Sequence, residues 1–188
     1  MNIRTLYSPA KINLALNVVG KKRSLHKIES IVSFVNLYDL IKLKEIRHKK
    51  HQIIFNGKFS ENIKRDNTIT KLLNILDDRN LLRKKKFQIK ITKNIPQRAG
   101  LGGGSMNAAS LLSLFIKKNF LKISSKKIRE ICDLIGSDVV LGIYKSNLIL
   151  NSKGKISAFK TKKNFNIVGK TKIWLFHKSN LLQRKKIL

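Results

Sequence analysis

The chain has 188 residues, 42% of them hydrophobic, enough for one domain with a full core and short for two. Lys and Arg number 41 against 10 Asp and Glu, so a net charge of +31 attracts any polyanion. One cysteine, Cys132, excludes an internal disulfide and fits a reducing cytoplasm; no secretory leader pattern opens the chain, and no window approaches the roughly 20 apolar residues of a membrane span.

The lysines are scattered through every segment, as in Lys21-Lys22, Lys84-Lys85-Lys86 and Lys162-Lys163, among many Ile and Asn residues. This pattern reads as compositional drift of an AT-rich genome and as solvated faces, with phosphate contacts to nucleic acid as the functional alternative.

In the first twenty residues Ile12, Leu14 and Leu16 alternate with Lys11, Asn13 and Ala15, which predicts a half-buried strand with Lys11 and Asn13 on one face. A second β region covers residues 31–59, where Ile41 and Leu43 alternate with Lys42 and Lys44, and Asn56-Gly57 offers a hairpin turn. Asp66 or Asn67 then caps a helix whose Ile69, Leu72, Leu73 and Leu76 form one stripe. Phe87, Ile89 and Ile91 mark a strand that stops at Asn94-Ile95-Pro96, because proline cannot donate to a ladder.

The run Pro96-Gln97-Arg98-Ala99-Gly100-Leu101-Gly102-Gly103-Gly104-Ser105-Met106 places a glycine-dense loop directly before a helix marked by Ala108, Leu111, Leu112 and Phe115. Backbone without Cβ can turn its N–H groups onto an anion, and the following helix adds unpaired amides and the positive end of its dipole. The loop lacks the terminal Gly-Lys-Ser/Thr of a Walker loop and the strand and acidic residue of a dinucleotide fingerprint at the required spacing. Ser124 or Ser125 caps a further helix with stripe Ile128, Ile131, Cys132 and Ile135, Gly136 ends it, and Asp138 lies on the turn beyond. Strand-like residues follow Asn147. A polar stretch over 160–166 reads as a linker, Ile173 to Phe176 as a buried strand, and Gln183 to Lys186 as a basic tail. His48, His51 and His177 have no metal-ligand spacing and suit surface or structural roles.

Three segments, Pro9-Ala10-Lys11-Ile12-Asn13-Leu14, residues 96–109 and Gly136-Ser137-Asp138-Val139, in this order resemble the GHMP small-molecule kinases, and the resemblance runs from residue 5 to about 178. The first segment and Gly-Leu-Gly-Gly-Gly-Ser-x-Asn-Ala-Ala are most similar to the branch acting on a cytidine-diphosphate-linked methylerythritol in non-mevalonate isoprenoid synthesis. The implied fold is α+β, a ribosomal S5 domain 2-like domain over residues 1–168, with 169–188 the start of a ferredoxin-like second domain that in the family continues for roughly a hundred residues.

The resemblance implies ATP-dependent phosphorylation of a hydroxyl on that small-molecule substrate, with no membrane partner. It makes Asp138 the general base and Lys11 its cationic partner, lays ATP on the eleven residues Pro96 to Met106, gives Ser105 a phosphate or Mg²⁺ and puts Asn13 and His26 on the substrate. The chain departs from the pattern at Arg23-Ser24-Leu25-His26, where Leu25 lacks an aromatic face for a base, at Met106, which replaces a second serine, and at Val140-Leu141-Gly142. Two other readings are a nucleotide-binding fragment without turnover and a basic RNA-associated protein.

Overall fold

The computed structural model describes residues 3–22, 25–144 and 146–159. Two long strands open it. β1 (Arg4–Lys22) and β2 (Leu25–Ile46) run antiparallel, from Arg4 opposite Leu43 to Lys22 opposite Leu25, with register shifts at Pro9/Ala10, Asn13/Ala15 and Val18/Gly20. Such bulges bend a ladder that would otherwise stay straight for its whole length.

After β3 (Gln52–Asn56) the chain crosses through α1 (Thr68–Asp78) to β4 (Lys86–Thr92), which pairs parallel with β3 and antiparallel with β2. α2 (Gly103–Lys117), α3 (Ser125–Ile135) and α4 (Val139–Tyr144) follow, then β5 (Asn147–Leu150) and β6 (Ile156–Phe159). The sheet order is β3-β4-β2-β5-β6, with β1 paired along β2. β4 takes residues 40–46 of β2, β5 takes 30–32, and β1 spans both stretches, so β1 holds the opposite edge.

Local chemistry sets the helix starts. Asn67 Oδ1 accepts from the backbone N–H groups of Ile69 at 3.0 Å and Thr70 at 3.2 Å, and Ser124 Oγ accepts from Lys127 N at 3.3 Å. The expected stripes are the buried ones: Ile69, Leu72, Leu73 and Leu76 of α1 meet Leu111, Leu112 and Phe115 of α2 and Ile131, Cys132 and Ile135 of α3 over the sheet residues Ile41, Leu43, Phe87, Ile89 and Ile91. Phe87 packs against Phe115 and Phe120 with ring centroids 5.0 and 5.3 Å away. Each such side chain, fully buried, contributes about 1.5–3 kcal/mol. Burial also pushes the Cys132 thiol up to about 11.

Three sequence expectations change. Leu14 and Leu16 are 45% and 51% exposed whereas Lys11 is buried, and residues 14–19 are exposed on both faces. Alternation sorts side chains to two faces, but another element must cover one of them, and no described residue covers this part of the hairpin. Asn56-Gly57 is not a hairpin turn, because β3 has a parallel partner; Gly57 has φ +92°, and a Cβ there would lie 2.8 Å from the backbone N and O of Lys93. The short helix α4 falls where only a turn after Asp138 was expected. The expected linker over 160–166, the strand from Ile173 to Phe176, the domain boundary at 168/169, His177 and the basic tail lie outside the described residues.

Candidate active site

The glycine loop leaves β4 through Lys93-Asn94-Ile95 and enters α2 at Gly102, whose φ of +67° makes it a left-handed helix cap without a side-chain bond. This conformation costs an L-residue about 1–2 kcal/mol, and the space is closed as well: a Cβ on Gly102 would sit 2.8 Å from Lys11 Cγ. The Lys11 backbone N–H donates to Leu101 O at 2.9 Å, so β1 is bonded to the loop at the residue carrying the proposed catalytic cation. Thr68 Oγ1, at the start of α1, donates to Gly104 O at 2.7 Å, so the N-termini of α1 and α2 stand side by side.

Between them lies a cavity of about 520 Å³. Its lining includes every loop residue from Pro96 to Ser105, with Lys11, Lys93, Asn107 and Asp138. The opposite wall is Phe55, Asn62, Ile63, Lys64, Asp66, Asn67, Thr68 and Ile69, a wall the sequence reading missed, although the Asn67 cap marks a helix N-terminus there. Gln97 Nε2 ties the loop to this wall by donating to Phe59 O at 2.8 Å and Glu61 O at 2.6 Å.

Lys11 Nζ is 3.2 Å from Asp138 Oδ2 and donates to Asn13 Oδ1 at 2.7 Å. Asn13 Nδ2 in turn donates to Ser30 Oγ at 2.7 Å, and that hydroxyl donates to Ala15 O at 2.7 Å. The ammonium thus has two fixed oxygen partners and a side chain only 8% exposed, whereas the Asp138 side chain is 39% exposed.

His26 pairs with Lys21 in the hairpin register while Lys11 pairs with Phe34, ten positions away along β1 with two of the register shifts between them. Met106 is absent from the cavity lining. Its N–H donates to Gly102 O at 2.8 Å inside the helix, and its side chain is buried where the sulfur would lie 3.1 Å from a Cβ on Gly142. The Met106 side chain therefore contributes to the packing of α2 on α4 and not to this cavity's wall.

The sequence reading also missed Asp39. Fully buried on β2, it accepts from Asn94 N at 2.8 Å, Ile95 N at 2.9 Å and Asn107 Nδ2 at 2.9 Å, and pairs with Lys93 Nζ. A signal existed, since Asp39 has the parity of Ile41 and Leu43, and Lys93 that of Phe87, Ile89 and Ile91. Extending both alternations by one step puts an acid and a base on the core face together.

A two-layer α+β domain with a glycine loop at a helix N-terminus and a Lys–Asp pair at its edge defines the class. Residues 67–146 match the family described as GHMP kinases N terminal domain, and the chain belongs to the GHMP kinase family. Its described residues have the architecture of that family's N-terminal domain. More particularly, the chain is 56% identical over 154 residues to a 4-diphosphocytidyl-2-C-methyl-D-erythritol kinase of Pelagibacter ubique, covering 82% of this chain and 55% of that protein. It is 33% identical over 147 residues to the Ehrlichia ruminantium protein of the same name, covering 78% and 50%. The chain thus spans about half the length of these curated relatives. A crystal structure of 4-(cytidine 5'-diphospho)-2C-methyl-D-erythritol kinase superposes with a TM-score of 0.66 at 21% identity over 83% of this chain and 55% of that one, and a mevalonate kinase with 0.56 at 17% over 84% and 56%. Both likenesses establish the fold.

Proposed function

We propose that this chain forms the ATP-binding and catalytic half of a kinase that phosphorylates a hydroxyl of 4-diphosphocytidyl-2-C-methyl-D-erythritol. The observation that carries the reading is the Lys11–Asp138 pair, 3.2 Å apart on the edge of a cavity whose other wall is the glycine loop. The relatives' names supply the substrate.

Phosphoryl transfer asks the protein mainly for position and charge. The β- and γ-phosphates lie along the amides of Gly100 to Ser105 at the positive end of α2, and the nucleoside extends toward Phe55 and Ile63. The acceptor hydroxyl approaches Asp138, which takes its proton as the oxygen attacks Pγ; the bond from Pγ to the β-phosphate bridging oxygen breaks and ADP departs. Lys11 keeps the carboxylate paired and offsets negative charge on the moving group, while Asn13 fixes the ammonium. His26 belongs to the cytidine end of the substrate.

Mg²⁺ fits the donors present. Ser105 stands among the loop residues lining the cavity, and a cation that holds mainly phosphate and water oxygens needs only one or two protein ligands, which leaves Asp138 to act as the base. Bound there, it would neutralise polyphosphate charge.

The test is Mg²⁺-dependent transfer from ATP to 4-diphosphocytidyl-2-C-methyl-D-erythritol by the purified chain. Asp138→Asn and Lys11→Ala are each expected to lower kcat by on the order of 10² to 10⁴ with ATP still bound. ATP binding without turnover in the folded parent chain refutes catalysis and favours the nucleotide-binding fragment. RNA binding with a steep salt dependence, indifferent to Asp138→Asn, favours the polyanion reading.

A further inference from the structure

Asp39 and Lys93 form an ion pair with side chains 0% and 6% exposed. Desolvation offsets most of the Coulomb attraction in such a pair, so stability alone is a poor reason for it, and what the pair positions is the better question. Asp39 stands on β2, opposite Ser8 of β1, and its two oxygens reach in different directions. Oδ1 accepts from the backbone of Asn94 and Ile95, the residues directly before Pro96. Oδ2 accepts from the side chain of Asn107, the residue directly after Met106, and from Lys93.

We propose that Asp39 is a positioning residue that clasps both ends of the phosphate loop and holds it in its anion-receiving shape before any nucleotide arrives. The inference rests on reading that loop as the ATP site. One carboxylate on a paired strand closes an eleven-residue segment at its two stems, so the ordering entropy of the loop is met on folding and not on binding. The orientation of Asn107 follows from the same contact. Its Oδ1 is buried without a partner among the described residues, and the reversed amide would set oxygen against carboxylate. Lys93 completes the clasp by compensating the buried charge; its Nζ lies 3.3 Å from the place a Cβ on Gly103 would take, beneath the first turn of α2.

Hydrogen exchange of the full chain without nucleotide, together with ATP titration, tests the clasp. In the parent protein the Asn94 and Ile95 amides exchange as slowly as those of β4. Asn107→Ala cuts the helix-side arm and leaves the Asp39–Lys93 pair intact; exchange across residues 97–105 becomes about tenfold faster and ATP binding about tenfold weaker, with α1 and α3 unchanged. Asp39→Asn shows both effects more strongly where it folds. A merely structural role would lower the melting temperature and leave relative loop exchange and the Kd for ATP of the folded variant alone, an outcome that overturns the proposal, as does rapid exchange at Asn94 and Ile95 in the parent chain. Protected loop stems in a chain that binds no ATP support the clasp and overturn the nucleotide reading.

Discussion

Gly100 and Gly102 make a matched pair for asking what the loop does to the catalytic lysine. Both have positive φ, +76° and +67°, so alanine at either pays the same left-handed backbone cost of about 1–2 kcal/mol. For a chain of this length that cost lowers Tm by roughly 2–8 °C. Their surroundings differ. A Cβ on Gly100 meets nothing within 4 Å, whereas a Cβ on Gly102 lies 2.8 Å from Lys11 Cγ and 3.0 Å from Lys11 Cε. Restoring a carbon–carbon separation of about 3.8 Å pushes the lysine back by roughly 1 Å. That displacement acts on an ammonium held 2.7 Å from Asn13 Oδ1 and 3.2 Å from Asp138 Oδ2. Misplacing a reacting or charge-stabilising group by 1 Å costs about 10²-fold in rate. Gly102→Ala is therefore expected to lose about 10² in kcat beyond the loss in Gly100→Ala, with a Tm a few degrees lower still because the contact with Lys11 adds to the backbone cost. Thermal melts and steady-state phosphoryl transfer on the two variants decide it. Equal kcat values would refute the argument, because they would mean that contact between the loop and Lys11 does not set the lysine's position.

Gly142→Ala puts a Cβ 2.6 Å from Ala109 Cβ and 3.1 Å from Met106 Sδ, both in the core between α4 and α2; about 1–3 kcal/mol of stability is lost, and an unchanged melting temperature would count against this packing. His51 is predicted to make stability fall in mild acid. Its Nδ1 accepts from Phe87 N at 3.1 Å, which leaves the proton on Nε2 facing Asp77 Oδ1 at 3.3 Å, and burial holds the imidazole below its usual 6.5 despite that carboxylate, with Lys86 adding to the depression. The unfolded chain binds the extra proton first, so this contribution is complete above pH 6.5 and declines as pH drops below it, by at most about 1.4 kcal/mol per pH unit. Denaturant melts from pH 7.5 to 5 should show a shallower slope in His51→Gln; equal slopes would remove His51 from the account.

Short-range physics decided much of this protein from the sequence alone. Caps at Asp66 or Asn67 and at Ser124 or Ser125, stripes at three- and four-residue spacing and the alternation of Phe87, Ile89 and Ile91 are satisfied within a few residues of themselves, and they became α1, α3 and β4, with Asn67 and Ser124 as the caps. The order of glycine loop and helix was legible for the same reason. Tertiary structure decided what needs a distant partner. Alternation in β1 sorted Leu14 and Leu16 from Lys11 and Asn13 but could not say that the lysine side is buried and the leucines lie open. Asn56-Gly57 marked a turn, but only the pairing of β3 with β4 made it parallel. Only folding brought Lys11 to within 3.2 Å of Asp138, and only folding joined Asp39 to Lys93, Asn94, Ile95 and Asn107. A buried carboxylate is tolerable only when donors from other elements surround it, and a sequence states such donors one at a time without stating that they meet.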